Sequence, residues 1–377
     1  MPTPLLIIVY VLSPAVILYT CKRYKWVENV GSVLWAYLLG LILGNFNLLP
    51  QNASSIQDLM STITVPLAIP LMLFSSNIRD WKQMAKTTLL SLTAGVAGVL
   101  IAIFLGYLIL QNSGMENLEK IAGMLVGVYT GGTPNLAALK LMLDLDSETY
   151  VTMHTYDMLV SFVFLIFMIT IGQKALGFIL PKTKDENIED ISINKSSVVL
   201  SLRDKIKAVA SSLLIAIIIF AVAGGLSLLF DASQQMVVVI LSITTLGIAA
   251  SFNRKINATP LSFESGMYLI LIFSVVVASM VDIRTFITEP PTVFYYILFA
   301  VFVSLTLQVL ISRLFKIDVD TTIVVSTSLI CSPAFVPFVA TAIQNKKVIV
   351  GGITAGLIGF AIGNYLGFAI SKLLSLI

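Results

Sequence analysis

The sequence predicts an all-α polytopic membrane protein made of two similar halves, and three observations carry that expectation. Of its 377 residues 57% are hydrophobic and only 11% charged, with a mean hydropathy of +0.96, whereas soluble domains carry about 25% charged residues. Short motifs recur in the same order along the two halves at nearly constant spacing. Two apolar stretches are interrupted at corresponding places by Thr-Pro and Ser-Pro.

A membrane span needs about 20 mostly apolar residues. Twelve windows qualify: 4–20, 30–49, 60–78, 87–110, 119–142, 150–171, 206–230, 235–252, 265–281, 292–312, 319–343 and 348–371. The first has neither a positive leading region nor a small-residue cleavage site, so it reads as a retained span. The polar stretch PKTKDENIEDISINKSSVVLSLRDKIK, residues 181–207, mixes charges of both signs and reads as a solvated linker. It divides the chain into a first repeat, 1–180, with an extra N-terminal span, and a second, 208–377.

The halves echo each other. Phe46-Asn47 closes the second window and Phe252-Asn253 the eighth; Asn77-Ile78-Arg79 closes the third and Asp282-Ile283-Arg284 the ninth. Thr133-Pro134 lies inside the fifth and Ser332-Pro333 inside the eleventh. Such internal symmetry is common in transporter folds. Basic residues favour the cytoplasmic side, and here they include Lys22, Arg23, Lys25, Arg79, Lys82, Lys86, the linker, Arg254, Lys255, Arg313 and Lys316. Twelve full crossings cannot place them all there: either one window does not cross fully, which would make the halves inverted, or the halves are parallel and two of the clusters break the rule.

The segment GVYTGGTPNLAALK, residues 127–140, shows what the interruptions do. Proline lacks an N–H and breaks a helix, yet it is favoured at the start of a new one, with Thr or Ser before it as cap. Thr130 and the flexible Gly131 and Gly132 therefore approach a break, and Thr133 caps a helix that restarts through Pro134 and Asn135. Ser332 and Pro333 repeat this grammar, with Pro337 as a second interruption. Non-helical backbone at membrane depth survives only where it is buried in protein or lines a wet cavity. Helix N-termini there attract anions and unwound carbonyls attract cations. Thr130, Gly131, Gly132, Thr133, Pro134, Asn135, Ser332 and Pro333 are thus the expected substrate-binding residues.

GVYTGGTPNLAALK and SLICSPAFVPFVATA resemble the signature segments of the YjcL-like membrane proteins, a family similar in turn to the bile acid:sodium symporter superfamily. The resemblance covers most of residues 30–370. It implies two inverted repeats, a core built on two crossing discontinuous helices, a panel domain against which the core moves, and homodimers formed through the panels. One departure concerns the ion. The second crossing helix of bile acid symporters carries an acidic residue and amides that help bind sodium, but residues 321–343 here contain no Asp, Glu, Asn or Gln. H+ and Na+ both stay open as the coupling ion.

The sixth window holds the single histidine, His154, one turn before Asp157, which lies about 10 Å into that window at 1.5 Å per residue. Ionisable groups inside spans are functional candidates, so Asp157, His154 and Asn135 are the expected ion-coupling residues; the opposing reading puts His154 and Asp157 at the interface, facing water. Asn77, Thr306, Gln308 and Asn364 read as interhelical hydrogen-bonding residues.

Several classes are not expected. No HExxH, Walker A or second intramembrane aspartate motif is present, so the chain does not read as an enzyme or ATPase. Cys21 and Cys331 have no metal spacing, and no metal or other cofactor is expected beyond the coupling ion. No basic run with interleaved aromatics suggests nucleic acid. The reading that remains is a multi-pass secondary transporter of the inner (plasma) membrane for a small organic anion or zwitterion. The alternative is a channel or facilitator for a small solute.

Overall fold

In lipid every backbone polar group must be satisfied within the protein, which restricts spanning segments to helices or closed barrels. The computed structural model describes residues 3–25, 27, 32–46, 48–50, 53–74, 86–183, 201–232, 234–280 and 291–377, and among these it contains helices and no strand. The first half runs α1 (Thr3–Arg23), α2 (Ser32–Asn45), α3 (Ala53–Phe74), α4 (Lys86–Leu110), α5 (Leu118–Gly131), α6 (Thr133–Met142) and α7 (Ser147–Phe167). A π-helical turn, Met168–Gly172, joins α7 to α8 (Gln173–Gly177). The second half runs α9 (Leu202–Ser227), α10 (Gln235–Ser251), α11 (Arg254–Asn257), α12 (Ser262–Ala278), α13 (Thr292–Leu314), α14 (Val319–Ile330), α15 (Val336–Ala342) and α16 (Ile349–Leu374).

Seven helical stretches among the described residues are long and apolar enough to cross a membrane: α1, α3, α4, α7 continued through α8, α9, α13 and α16. The predicted windows at 30–49, 235–252 and 265–281 form helices of 14, 17 and 17 residues, short of a full span. The windows at 119–142 and 319–343 are each divided, into α5 and α6 and into α14 and α15. The echoes at Asn47, 77–79 and 282–284, the bases Arg79 and Lys82, and most of the 181–207 linker lie outside the described residues.

The chain forms two compact units, each drawing on both sequence halves. The first comprises Met1–Ser75, Lys140–Thr155 and Ile206–Pro291, and the second Ser76–Leu139, Tyr156–Lys205 and Thr292–Ile377. In the first unit α12 packs on α3 and α2, α10 packs on α3, and α1 packs on α12 and α2. Close helix approach depends on small residues, as is general for membrane helices. A Cβ at Gly40 would lie 2.4 Å from the Val275 carbonyl oxygen, and one at Gly266 would lie 2.4 Å from Met72 Cγ. At the end of α12 the Gln57 amide donates to Ser279 Oγ at 2.9 Å, and Ser279 shares a 2.6 Å bond with the Tyr10 hydroxyl. These bonds satisfy polar groups in an otherwise apolar core.

The second unit follows a simple order in each half: a long helix, a divided helix, then another long helix, of which the first half contributes α7 only from Tyr156 onward. The long helices α4 and α13 pack together, with the Tyr296 hydroxyl donating to Ile103 O at 2.8 Å. Gln308 on α13 joins three helices, accepting from Ser326 of α14 at 2.7 Å and donating to Ser91 of α4 at 3.4 Å. That is the interhelical role expected of it. Thr306 instead bonds within its own helix, to Phe302 O at 2.8 Å, because its hydroxyl reaches the carbonyl one turn back.

Candidate functional site

Both helix divisions lie in the second unit, and their geometry differs from the sequence grammar in detail. The first is a single residue wide. Gly132 takes φ 74 and ψ −167, and its N–H still donates to Val128 O at 2.7 Å. Its carbonyl accepts from Asn135 and Leu136 at 3.1 and 3.2 Å. Gly132, not Thr133, is therefore the capping position, and Thr133 and Pro134 are the first two residues of α6. The correction has a physical cause: the turn needs a backbone conformation that is essentially restricted to glycine. Pro134 then sits where a helix has no intrahelical use for an N–H.

This conformation supports a direct prediction. A side chain at position 132 would meet nothing closer than Pro134 Cδ at 3.9 Å, so steric clash plays no part. Gly132→Ala is expected to destabilise the protein by about 1–3 kcal/mol through backbone strain alone. Gly132→Asn should do no better, because asparagine tolerates the left-handed helical region rather than this one. Thermal melting of the two variants checks this, and wild-type stability in either would show that the turn adopts another conformation.

The second division is broader. α14 starts with Asp318, whose carboxylate caps Thr321 N at 2.9 Å, and its C-terminus passes through Cys331 to Ser332 at φ 152, a value rare for a residue with a Cβ. A 3₁₀ turn, Pro333–Phe335, follows before α15 begins. Pro337 falls in the first turn of α15, so it starts that helix rather than interrupting one.

One helix seats both divisions. A Cβ at Gly359 of α16 would lie 1.9 Å from the Thr130 carbonyl oxygen, and one at Gly363 would lie 2.2 Å from Asn135 Nδ2. One turn earlier, a Cβ at Gly356 would lie 2.1 Å from Ser328 Oγ and 2.4 Å from Pro333 Cγ. Glycine alone lets the two breaks come this near. Asn135 is fully buried; its Nδ2 donates to Phe360 O of α16 at 3.0 Å, while its Oδ1 is buried without a hydrogen-bond partner. Ser328 Oγ is likewise buried without a partner. An unsatisfied buried acceptor costs about 1–3 kcal/mol. Thr130 is also buried, its hydroxyl turned back to Val126 O at 2.7 Å.

Asp157 is buried at 5% exposure, so within the protein it does not face bulk water. α7 begins at Ser147, which puts Asp157 about 15 Å along the helix rather than 10 Å. Its Oδ1 accepts from Ser161 Oγ at 3.2 Å. The Tyr129 hydroxyl lies beside the carboxylate but outside hydrogen-bonding geometry, and the Cys331 thiol is within electrostatic reach while donating to Ser161 O at 3.6 Å. Tyr129 stands two residues before Gly131, and Cys331 stands immediately before Ser332. Asp157 is thus flanked by residues next to both breaks. His154 belongs to the first unit, where its Nδ1 hydrogen-bonds the Tyr37 hydroxyl and its ring meets Tyr37 and Tyr150 edge-on at 5.4 and 5.9 Å.

Sequence reasoning missed Tyr129, Ser161, Cys331 and the glycines of α16. It also stopped one residue short of Asp320, a buried acid at the start of α14 that accepts from Gln173 and Asn345, each at 2.8 Å. The acid of this helix therefore sits at its beginning, not at its break. The glycine seat had a readable signal, the small-xxx-small spacing 352–356, 359–363 and 363–367.

Comparison with known proteins places the chain among membrane proteins. The family model described as "Protein of unknown function (DUF819)" matches residues 7–377. The uncharacterized membrane protein YjcL of Bacillus subtilis (strain 168) is 23% identical over 363 residues, covering 92% of this chain and 90% of that protein.

Proposed function

The chain belongs to the DUF819 family, and from that premise we propose that this multi-pass membrane protein is a secondary active transporter for a small organic anion or zwitterion. The substrate class is a carboxylate, amino acid or short peptide, moved by alternating access and coupled to H+ or Na+. One observation carries the reading: two helices of one compact unit break at corresponding places, on one glycine-lined helix, around a buried carboxylate. A soluble protein has no need of such an arrangement, and a membrane protein tolerates broken backbone only where protein or a wet cavity surrounds it. Breaks of this kind near a buried ionisable group are the common construction of substrate and ion sites in transporters.

In this reading the second unit is the core, the first unit is the panel, and the two sequence halves are inverted repeats. The N-terminus of α6 supplies partial positive charge for an anionic substrate group. Asn135 Oδ1, buried without a partner, is the acceptor that a substrate ammonium or hydroxyl group would satisfy. Asp157 carries the coupling ion. The protein resides in the plasma membrane as a homodimer.

Thermal-shift measurements on the purified protein test this, against carboxylates, amino acids and peptides, with and without sodium and at two pH values. A ligand that binds the native state at about 100 times its Kd stabilises it by about 2.7 kcal/mol. Asn135→Ala is expected to melt close to wild type and to lose that ligand-induced shift. A full ligand shift in Asn135→Ala would remove the break from the binding site. Silence across the panel from folded protein would favour a channel or facilitator.

A further inference from the structure

Away from the breaks, the first unit carries a groove of about 410 Å³ between α1 and α2, lined by residues that include Val16, Thr20, Tyr24, Trp35, Leu38 and Ile42. Along its length the polar groups of Thr20 and Trp35 are already satisfied. The Thr20 hydroxyl turns back to Val16 O, and Trp35 Nε1 donates to Val27 O at 3.1 Å. The walls of the groove are therefore mostly apolar and suit a hydrocarbon chain.

The mouth of the groove is different. Tyr24 lines it, and Lys22, Arg23 and Lys25 surround Tyr24 in sequence, all exposed. Arg23 is held at that lip, with Nη1 3.5 Å from the Tyr19 hydroxyl and its guanidinium 5.9 Å from the centre of the Tyr24 ring. Lys22 and Arg23 close the last turn of α1, where cations offset the helix dipole; Lys25 lies beyond that turn and adds charge the dipole does not require. The one acid nearby in sequence is Glu28, outside the described residues, which leaves an excess of positive charge. A hydrocarbon slot ending at a cationic, aromatic lip matches a molecule with an acyl chain and an anionic head at the bilayer interface.

We propose that the groove between α1 and α2 binds one anionic phospholipid, its acyl chain along α1 and α2 and its phosphate at Lys22, Arg23 and Lys25. The site lies in the first unit and shares no residue with the breaks, so it stands whether or not the transport reading does.

Trp35 reports on the groove directly. In the variant Trp26→Phe/Trp81→Phe, Trp35 is the only tryptophan left. Its fluorescence is measured in bilayers containing phosphatidylglycerol or phosphatidylcholine with brominated acyl chains at equal mole fraction. Brominated phosphatidylglycerol is expected to quench at a mole fraction several-fold lower than brominated phosphatidylcholine. Added salt should shrink the difference, and Lys22→Gln/Arg23→Gln/Lys25→Gln should abolish it while leaving quenching by phosphatidylcholine unchanged. Equal quenching by the two lipids in the parent would overturn the proposal and leave ordinary bulk lipid in the groove. No quenching by either would also overturn it, because protein, such as a second copy of the chain, would then cover the groove. If the tryptophan variant fails to fold, native mass spectrometry of the wild type offered both lipids decides between selective retention and none.

Discussion

Gly359→Ala is expected to destabilise the folded protein by about 1–3 kcal/mol and to abolish ligand binding, although alanine is the better helix former by about 1 kcal/mol. The added Cβ would lie 1.9 Å from the Thr130 carbonyl oxygen, far inside van der Waals contact. Because that oxygen is backbone, no rotamer change relieves the clash; α5 or α16 must move. Moving α5 displaces the residues leading into Gly132, and the divided helix loses its seat. Gly225→Ala is the matched control, in a helix and a membrane-spanning stretch where a new Cβ meets nothing within 4 Å. There the helix-propensity gain stands alone, so that variant should melt at or slightly above wild type. Equal stability of the two variants would mean that α16 and the first break do not approach as described.

The contrast between these glycines shows which parts of the structure could be read in advance. Thr133-Pro134 and Ser332-Pro333 announced the breaks because proline acts through its own missing N–H, a local property that needs no tertiary information. The capping residue was misassigned for a related reason. Thr before Pro is a sound local signal, but the turn was decided by Gly132, whose conformation a Cβ would oppose. The small-xxx-small spacing on α16 was readable as a packing face, but what packs there was not, because glycine spacing names no partner until a second helix is known to lie on it. Ser161 was legible in principle, because it stands one helical turn after Asp157 on the same helix. Tyr129 and Cys331 gave no signal, since they reach Asp157 only when segments far apart in sequence pack together, and no periodicity within one segment encodes that. Burial of Asp157 was open in the sequence for the same reason: its depth depended on where α7 begins and on what covers it.

Asp157→Asn is expected to separate binding from coupling. Asparagine keeps the volume of the side chain and an oxygen that can accept from Ser161, so the packing against Tyr129 and Cys331 should persist. What it loses is the capacity to take up a proton or to present a negative charge to a cation. Among the described residues, Asp157 accepts from the Ser161 hydroxyl with the Tyr129 hydroxyl and the Cys331 thiol beside it, and no lysine or arginine is among the groups acting on it. A carboxylate so placed is costly unless something neutralises it, and in a transporter the coupling ion is the group that comes and goes. If Asp157 carries that ion, occupancy by the ion and affinity for substrate are linked by about 1–3 kcal/mol, or 5–150-fold in affinity, and the linkage is reciprocal. The variant should bind ligand with an affinity that no longer changes with pH or sodium. In vesicles it should exchange labelled for unlabelled ligand yet fail to accumulate it against a gradient. A merely structural aspartate predicts the opposite pattern, with a shifted melting temperature and the ion dependence intact. Should Asp157→Asn keep both its ion dependence and its ability to concentrate substrate, the coupling role must pass to another group, and Asp320 at the start of α14 is the next buried carboxylate to test.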